Sequence, residues 1–181
     1  SSSPLRDAGN NAGVSTLDQR GLPRVRDNNA DSTATVDIGA VEGPVDANVF
    51  FVNSTLDTTD AEAGNGSVAD ATGRATLRAA IQEANASAGT DPITIVFNIF
   101  GSGVHTITPT TTLPTITRVN VTIDGSSQTN SACPVLGDTP ATLNVKLDGN
   151  TAVFDGLASS ANTTTVKGLN IEGFTNGISL S

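Results

Sequence analysis

The sequence predicts an all-β protein, a right-handed parallel β-helix: a solenoid of 24-residue coils with one short N-terminal capping helix. Four glycines recur with a spacing of 24 residues, at Gly101, Gly125, Gly149 and Gly173. The residues before each glycine alternate between apolar and polar, which is the pattern of a strand with one buried face. A constant period of roughly 20 to 50 residues is typical of repeat architectures. Each short strand is therefore predicted to pair with the same strand one coil later.

Two apolar columns of this repeat are predicted to form ladders of side chains inside the solenoid. Aligned residues in neighbouring coils would lie ~4.8 Å apart, and burying each apolar side chain would contribute roughly 1.5–3 kcal/mol. The alternative, four unrelated antiparallel strands, would not explain the equal spacing. The first column contains Phe97, Val121, Val145 and Leu169, and the second contains Ile99, Ile123, Leu147 and Ile171.

The chain is predicted to have three parts. Residues 1–43 lie outside the repeat and form a closing or docking segment, residues 44–90 hold a linker, a strand and the capping helix, and residues 91–181 form the coils. Four of the nine basic residues lie in the first part, mixed with aspartates. This mixture favours Arg–Asp pairs that hold loops in place, and an anion site at Arg20 and Arg24 is the alternative.

The capping helix is predicted at residues 76–85, where apolar residues recur at helical spacing. Thr76 suits the N-cap, and Gly89 suits the chain reversal that ends the helix. We expect this helix to cover the apolar end of the solenoid, which would otherwise be an unpaired edge. Its apolar face consists of Leu77, Ala80, Ile81 and Ala84.

Several segments of residues 49–128 match a bacterial module. They read FVNSTLDTTDA, GNGSVADATGRATLRAAIQEAN, ITIVFNIFGSGVHTITPTTTLPTIT and VTIDGSSQ. This stretch resembles the CSLREA N-terminal module that opens bacterial extracellular β-helix surface proteins. Val68 and Ala75 stand where that family usually has two cysteines, so its usual disulfide is not implied here. Ala79 stands in place of the glutamate of the family signature.

The first part of the chain contains SPLRDAGN, DQRGLPR and DIGAVE. These segments resemble the closing segment of bacterial β-helix surface proteins of the choice-of-anchor Q family. In that family the segment comes last, whereas here it comes first. Together the two resemblances imply a location outside the cell or on its surface, and they carry no catalytic residues over to this chain.

Asp124, Asp148 and Glu172 share one column of the repeat and are the candidate metal ligands. Stacked carboxylates are a geometry that can bind Ca²⁺ or hydrolyse glycosides. Since Asp-Gly is also a turn signature, a solvated corner with no bound ligand is the favoured interpretation. His105, the single histidine, is predicted to be structural. We expect no cofactor, with Ca²⁺ as the one alternative.

The net charge and the lengths of the apolar runs argue against two classes of partner, nucleic acids and the membrane interior. The net charge of −9 argues against a nucleic-acid surface, and no apolar run approaches the roughly 20 residues of a membrane helix. The predicted function is therefore that of a non-enzymatic structural subunit outside the cell. A carbohydrate-binding or carbohydrate-cleaving β-helix is one alternative, and a Ca²⁺-stabilised adhesin module is another.

The order of the segments predicts self-association. The last coil is predicted to be incomplete, so residues 1–43 of one subunit would complete the open coil of the next and generate a head-to-tail filament. The alternative is a slice across two tandem units of a larger protein. Copies of the chain are the expected partner, with glycans or the cell envelope as further ones. The predicted assembly residues are Leu5, Arg6, Asp7, Arg20, Arg24, Ile38, Val41, Ile178 and Leu180.

Overall fold

The computed structural model describes four stretches of the chain, residues 8–14, 35–36, 48–131 and 141–181. The chain divides into two compact units, Ser1–Ala47 and Asn48–Ser181. In the first unit, the backbone N–H of Gly9 donates to the carbonyl of Val36, and Asn11 Oδ1 accepts from the N–H of Val36. The predicted assembly residues of this unit lie outside the described residues, as does Cys133 of the second unit.

The second unit is built from short parallel strands and one helix. Every strand pair in it is parallel. The elements are β1 (Val49–Val52), α1 (Leu77–Ala86), β2 (Ile93–Phe97), β3 (His105–Ile107), β4 (Val121–Asp124), a 3-10 turn (Gly125–Ser127), β5 (Val145–Asp148), β6 (Leu157–Ser159), β7 (Thr165–Lys167), β8 (Asn170–Glu172) and β9 (Ile178–Leu180).

The strands form three separate sheets. Sheet A has the order β1-β2-β4-β7, sheet B has the order β3-β5-β8, and sheet C pairs β6 with β9. A bridge between Ile116 and Ser159 of β6 extends sheet C by one position. From β2 onwards the chain visits A, B and C in turn, three times. Inward-facing residues of all three sheets, such as Ile123, Leu147 and Leu157, therefore belong to one hydrophobic core.

The predicted β-helix of 24-residue coils is wrong. The strands form three separate sheets of four, three and two strands, and the spacing between paired strands is not constant. Ile95 pairs with Ile123, 28 residues later, and Ile123 pairs with Val166, 43 residues later. Only β5 and β8, where Leu147 pairs with Ile171, have the predicted spacing of 24.

The glycine repeat gave the wrong pairing because three of its four glycines directly follow strands that do not all belong to the same sheet. Gly125 follows β4 of sheet A, whereas Gly149 follows β5 of sheet B. Ile123 and Leu147 are therefore both buried, but they do not pair with each other. The antiparallel alternative is also wrong, since all pairings are parallel.

The predicted helix is confirmed, one residue later than expected. The Thr76 hydroxyl accepts from the N–H of Ala79 as the N-cap, and the four predicted apolar residues all lie in the core. The helix ends at Ala86, and Ser87 rather than Gly89 is its C-cap. The Asn85 side chain hydrogen-bonds the backbone of Thr115 and Thr117. Helix α1 is thereby joined to the segment around Ile116, at the edge of sheet C opposite β9.

At the other end of the three sheets lie β7, β8 and β9, which we call the outer layer. Each of these strands is an edge strand of its sheet in the described part of the chain. In all three strands, one partly buried residue lies between two exposed residues. In β9, Ile178 is 47% exposed and Leu180 is 77% exposed. The outer layer is therefore the least covered part of the core.

Candidate functional site

The three carboxylates of the predicted column do not lie in one ladder. Asp124 belongs to sheet A and is paired in register with Lys167 of β7. Asp148 and Glu172 belong to sheet B and are paired in register with each other. The structure thus brings together two of the three candidates, and the third lies on a different sheet.

Asp124 is a turn residue with a cationic partner. Its Oδ1 accepts from the backbone N–H of Ser126 at 3.0 Å, and its Oδ2 lies 3.0 Å from Lys167 Nζ. Burial acts to raise the pKa of Asp124, but the hydrogen bonds from Ser126 and the charge of Lys167 outweigh it and lower the pKa below 3.8. This carboxylate is ionised at neutral pH and already engaged on both oxygens.

Lys146 occupies the space between the other two carboxylates. Its Nζ lies 2.9 Å from Asp148 Oδ2 and 2.5 Å from Glu172 Oε1. The hydrogen bond that Lys146 donates to Glu172, and then the one that it donates to Asp148, raise the pKa of Lys146 above 10.5. In return, Lys146 and the N–H of Asn150 lower the pKa of Asp148 below 3.8. Lys146 thus places one positive charge between two acidic side chains.

This arrangement does not suit glycoside hydrolysis, because the general acid of such a site needs a raised pKa. The pKa values of Asp124 and Asp148 are both lowered. Within the four described stretches, no group of three or more His, Cys, Asp or Glu residues is arranged to hold a metal ion. No cationic partner was assigned to these carboxylates from the sequence. The partner of Asp148 is Lys146, two residues earlier on the same strand, and the partner of Asp124 is Lys167 of the neighbouring strand.

His105 begins β3 and pairs with Val145 of β5. Its Nε2 is buried without a hydrogen-bond partner. Such an unpaired buried nitrogen costs stability. His105 is not a neighbour of the acidic residues. Its partner on β5 is Val145, and Asp148 lies three residues further along that strand.

A second polar centre, which the sequence did not reveal, joins the loop of residues 60–70 to helix α1. The Glu83 side chain is fully buried. Its two oxygens accept from the backbone N–H groups of Gly64 and Gly66. Both glycines have positive φ, at 97° and 83°, a conformation that glycine adopts without steric cost. We call Glu83 with these two N–H groups the loop clamp.

Asp60 and Asp70 close the same loop from its two ends. The N–H of Asp60 donates to Gln82 of α1, and its carboxylate accepts from Glu62 and Ala69. The Asp70 carboxylate accepts from Thr58, Thr72 and Arg74. The hydroxyl of Thr58, the N–H of Arg74 and the hydroxyl of Thr72 lower the pKa of Asp70 far below 3.8. The acidic residues of this loop thus serve as acceptors for its own backbone.

The outer layer carries an apolar groove of about 210 Å³ at its sheet C side. Ile178 and Leu180 of β9 line it, together with Ile116, Leu157 and Val166 of the core. Of the nine predicted assembly residues, these two are the ones that lie among the described residues. The groove is open to solvent along the edge strands.

No family model, no curated protein and no solved structure matches this chain. The resemblances to the CSLREA and choice-of-anchor Q modules therefore stay predictions. In the described part of the chain, no helix has both the length and the apolar character needed to cross a membrane.

Proposed function

We propose that this chain is a non-enzymatic structural subunit that acts outside the cell and associates head to tail with copies of itself. The observation that carries the proposal is the outer layer. In it, three parallel sheets present edge strands at one end of the same core, next to partly exposed Val166, Ile171 and Ile178. An exposed strand edge offers unpaired N–H and C=O groups to another chain.

The occupant of this edge is the first part of a second copy, residues 1–43. Residues 44–181 carry five basic and twelve acidic residues, a net charge of −7. Residues 1–43 carry the other four basic residues, all of them arginines, together with six acidic residues. Arginine forms hydrogen bonds with carboxylates readily, and Glu172 of the outer layer is 51% exposed even though its Oε1 contacts Lys146.

A contact of this kind joins two different surfaces, so it does not close on itself as a symmetric dimer does. It generates an open filament unless the rotation between subunits closes a ring. At the opposite edge of sheet C, the Asn85 side chain of α1 already bonds the backbone of Thr115 and Thr117. The location outside the cell rests on the two sequence resemblances.

The test is polymerisation of the purified chain. We expect light scattering and electron microscopy to show long polymers whose mass grows with concentration. A variant lacking residues 1–43 should stop the growth. A monodisperse monomer at high concentration, with all 181 residues present, would contradict the proposed self-association.

A matched pair of substitutions examines the outer layer itself. Leu180→Asp places a charge in the apolar groove and should block polymerisation. Val153→Asp changes a residue that is 94% exposed and does not line the groove, and should leave polymerisation unchanged. Equal effects of the two variants would show that the outer layer is not the contact surface.

A further inference from the structure

We infer that Asn65–Gly66 is a site of self-modification, at which the folded loop clamp promotes ring closure of Asn65 to a succinimide with loss of ammonia. Three groups needed for this reaction lie together. They are the backbone nitrogen of Gly66, the side-chain amide of Asn65 and the buried carboxylate of Glu83. The inference is independent of the proposed self-association.

The nucleophile is the backbone nitrogen of Gly66. Its N–H donates to Glu83 Oε1 at 2.5 Å. Because this hydrogen lies in the plane of the amide, the two faces of the nitrogen are left open for bond formation. Helix α1 holds the carboxylate in place, and Gly64 occupies its other oxygen. Glu83 is thus positioned as a general base for the proton that must leave the nitrogen.

The electrophile is the side-chain carbonyl carbon of Asn65. Its Oδ1 accepts from the backbone N–H of Ser67 at 2.7 Å. Negative charge develops on this oxygen when the carbon is attacked, and a donor at roughly 2.7–3.1 Å stabilises it. Asn65, Gly66 and Ser67 are all exposed. No atom lies within 4 Å of the place where a Cβ of Gly66 would be. The space beside Gly66 is therefore open, and water can reach the pair of residues.

The reaction balances with water as the one co-reactant. The Gly66 nitrogen forms a bond to Asn65 Cγ, and its proton passes to Glu83 Oε1. The Cγ–Nδ2 bond then breaks, and the nitrogen departs as ammonia with the proton returned by Glu83. Water later opens the succinimide at one of its two carbonyls, which leaves either aspartate or isoaspartate at position 65.

The modification changes the loop clamp. The succinimide nitrogen carries no hydrogen, so Glu83 Oε1 loses its partner while the side chain remains buried. An unsatisfied buried carboxylate is costly, and the aspartate or isoaspartate product adds a negative charge beside it. We therefore expect the loop of residues 60–70 to be held less firmly on α1 after the reaction.

The chain contains a natural comparison site. It has two Asn–Gly pairs, Asn65–Gly66 and Asn176–Gly177. In the second pair, Asn176 Nδ2 donates to Asp155 Oδ1 at 2.7 Å. This bond restrains the nitrogen that would have to leave as ammonia. No carboxylate of the described residues accepts from the N–H of Gly177. The two sites share the Asn–Gly sequence but differ in their contacts: Glu83 accepts from the N–H of Gly66, and Asp155 accepts from the side chain of Asn176.

The first experiment compares the folded and unfolded states of the unaltered full chain. The protein is incubated at neutral pH in buffer and in concentrated urea, and conversion at each asparagine is followed by peptide mass spectrometry. Folding should accelerate conversion of Asn65 at least about tenfold, since a positioned base contributes roughly 10²-fold or more. Folding should slow conversion of Asn176. Equal or slower conversion of Asn65 in the folded chain would overturn the inference.

The second experiment separates base assistance from loop geometry. Glu83→Gln keeps the shape of the side chain but cannot take the proton, so conversion of Asn65 should fall to the rate in urea. The folded wild-type rate should also rise less steeply with pH than the rate in urea, because a carboxylate replaces hydroxide as the base. A folded Glu83→Gln chain with the wild-type rate and pH profile would contradict the role of Glu83.

Discussion

Arg78 of helix α1 and Asp57 form a bidentate ion pair. Arg78 Nε lies 2.9 Å from Asp57 Oδ1, and Arg78 Nη2 lies 3.0 Å from Asp57 Oδ2. The same guanidinium donates to the carbonyls of Thr111 and Thr112. The pair therefore joins three segments that are distant in sequence.

Replacing Arg78 with lysine should destabilise the protein. Lysine cannot form the two parallel bonds to Asp57 while also reaching two carbonyls. Because the side chains of Arg78 and Asp57 are only 9% and 8% exposed, the incompletely matched carboxylate stays buried, and we expect a loss of about 1–3 kcal/mol in the free energy of unfolding. Urea denaturation measures it. Arg74→Lys, at an exposed position, is the control and should change little.

The inward face of sheet A is tested by a neighbouring pair of substitutions. Ile123→Asp places an unpaired charge at a fully buried position and should cost at least about 3 kcal/mol. Thr122→Asp, one residue earlier and facing the other way, should cost about 1 kcal/mol, the range of strand propensities. Similar losses for both, measured by thermal and urea unfolding, would contradict the observed register.

The contact between Lys146 and the two carboxylates of sheet B should depend on salt. Lys146→Met removes the cation that separates Asp148 from Glu172, and like charges directly opposite each other in a sheet are destabilising. We expect a lower melting temperature at low ionic strength and a smaller difference at 1 M salt, where the Debye length is roughly 3 Å.

Adding Glu172→Gln to Lys146→Met should restore part of that loss, since it removes one of the two like charges. A deficit that is equal at all salt concentrations, or that the second substitution does not reduce, would mean that lost packing rather than charge is responsible.

Asp70 should make stability depend on pH. Its pKa lies below the ordinary value of 3.8 in the folded chain, so the folded state favours the ionised form. The stabilisation is present in full above that value and is lost as the pH falls below it. Asp70→Asn should lower the melting temperature at pH 7 but have a shrinking effect as the pH approaches 2. A deficit independent of pH would show that the charge of Asp70 does not matter.

Local features of this fold were predictable from the sequence. The helix follows from Thr76 as a cap and from the spacing of Leu77, Ala80 and Ile81, all within a few residues of one another. The burial of Ile123 and Leu147 follows from alternation within single strands. These signals depend on neighbours in the sequence, which the sequence displays directly.

Pairing and the polar contacts were not predictable, because both depend on distant residues. Nothing next to Ile123 indicates that its partner is Val166 rather than Leu147. Likewise, Glu83 looked like an ordinary polar position of a helix. Its partners Gly64 and Gly66 lie 19 and 17 residues away in a loop, and only the folded chain shows their approach.

The uneven spacing of the paired strands has a consequence for how this architecture tolerates change. Partners are separated by as few as 21 residues, between Leu157 and Ile178, and by as many as 45, between Val49 and Thr94. Since the entropy of closing a loop grows only slowly with its length, insertions between strands leave the pairing almost untouched. Connections without hydrogen bonds to α1, in contrast to the loop of residues 60–70 and the segment of residues 111–117, are therefore the natural places to graft foreign peptides onto this scaffold.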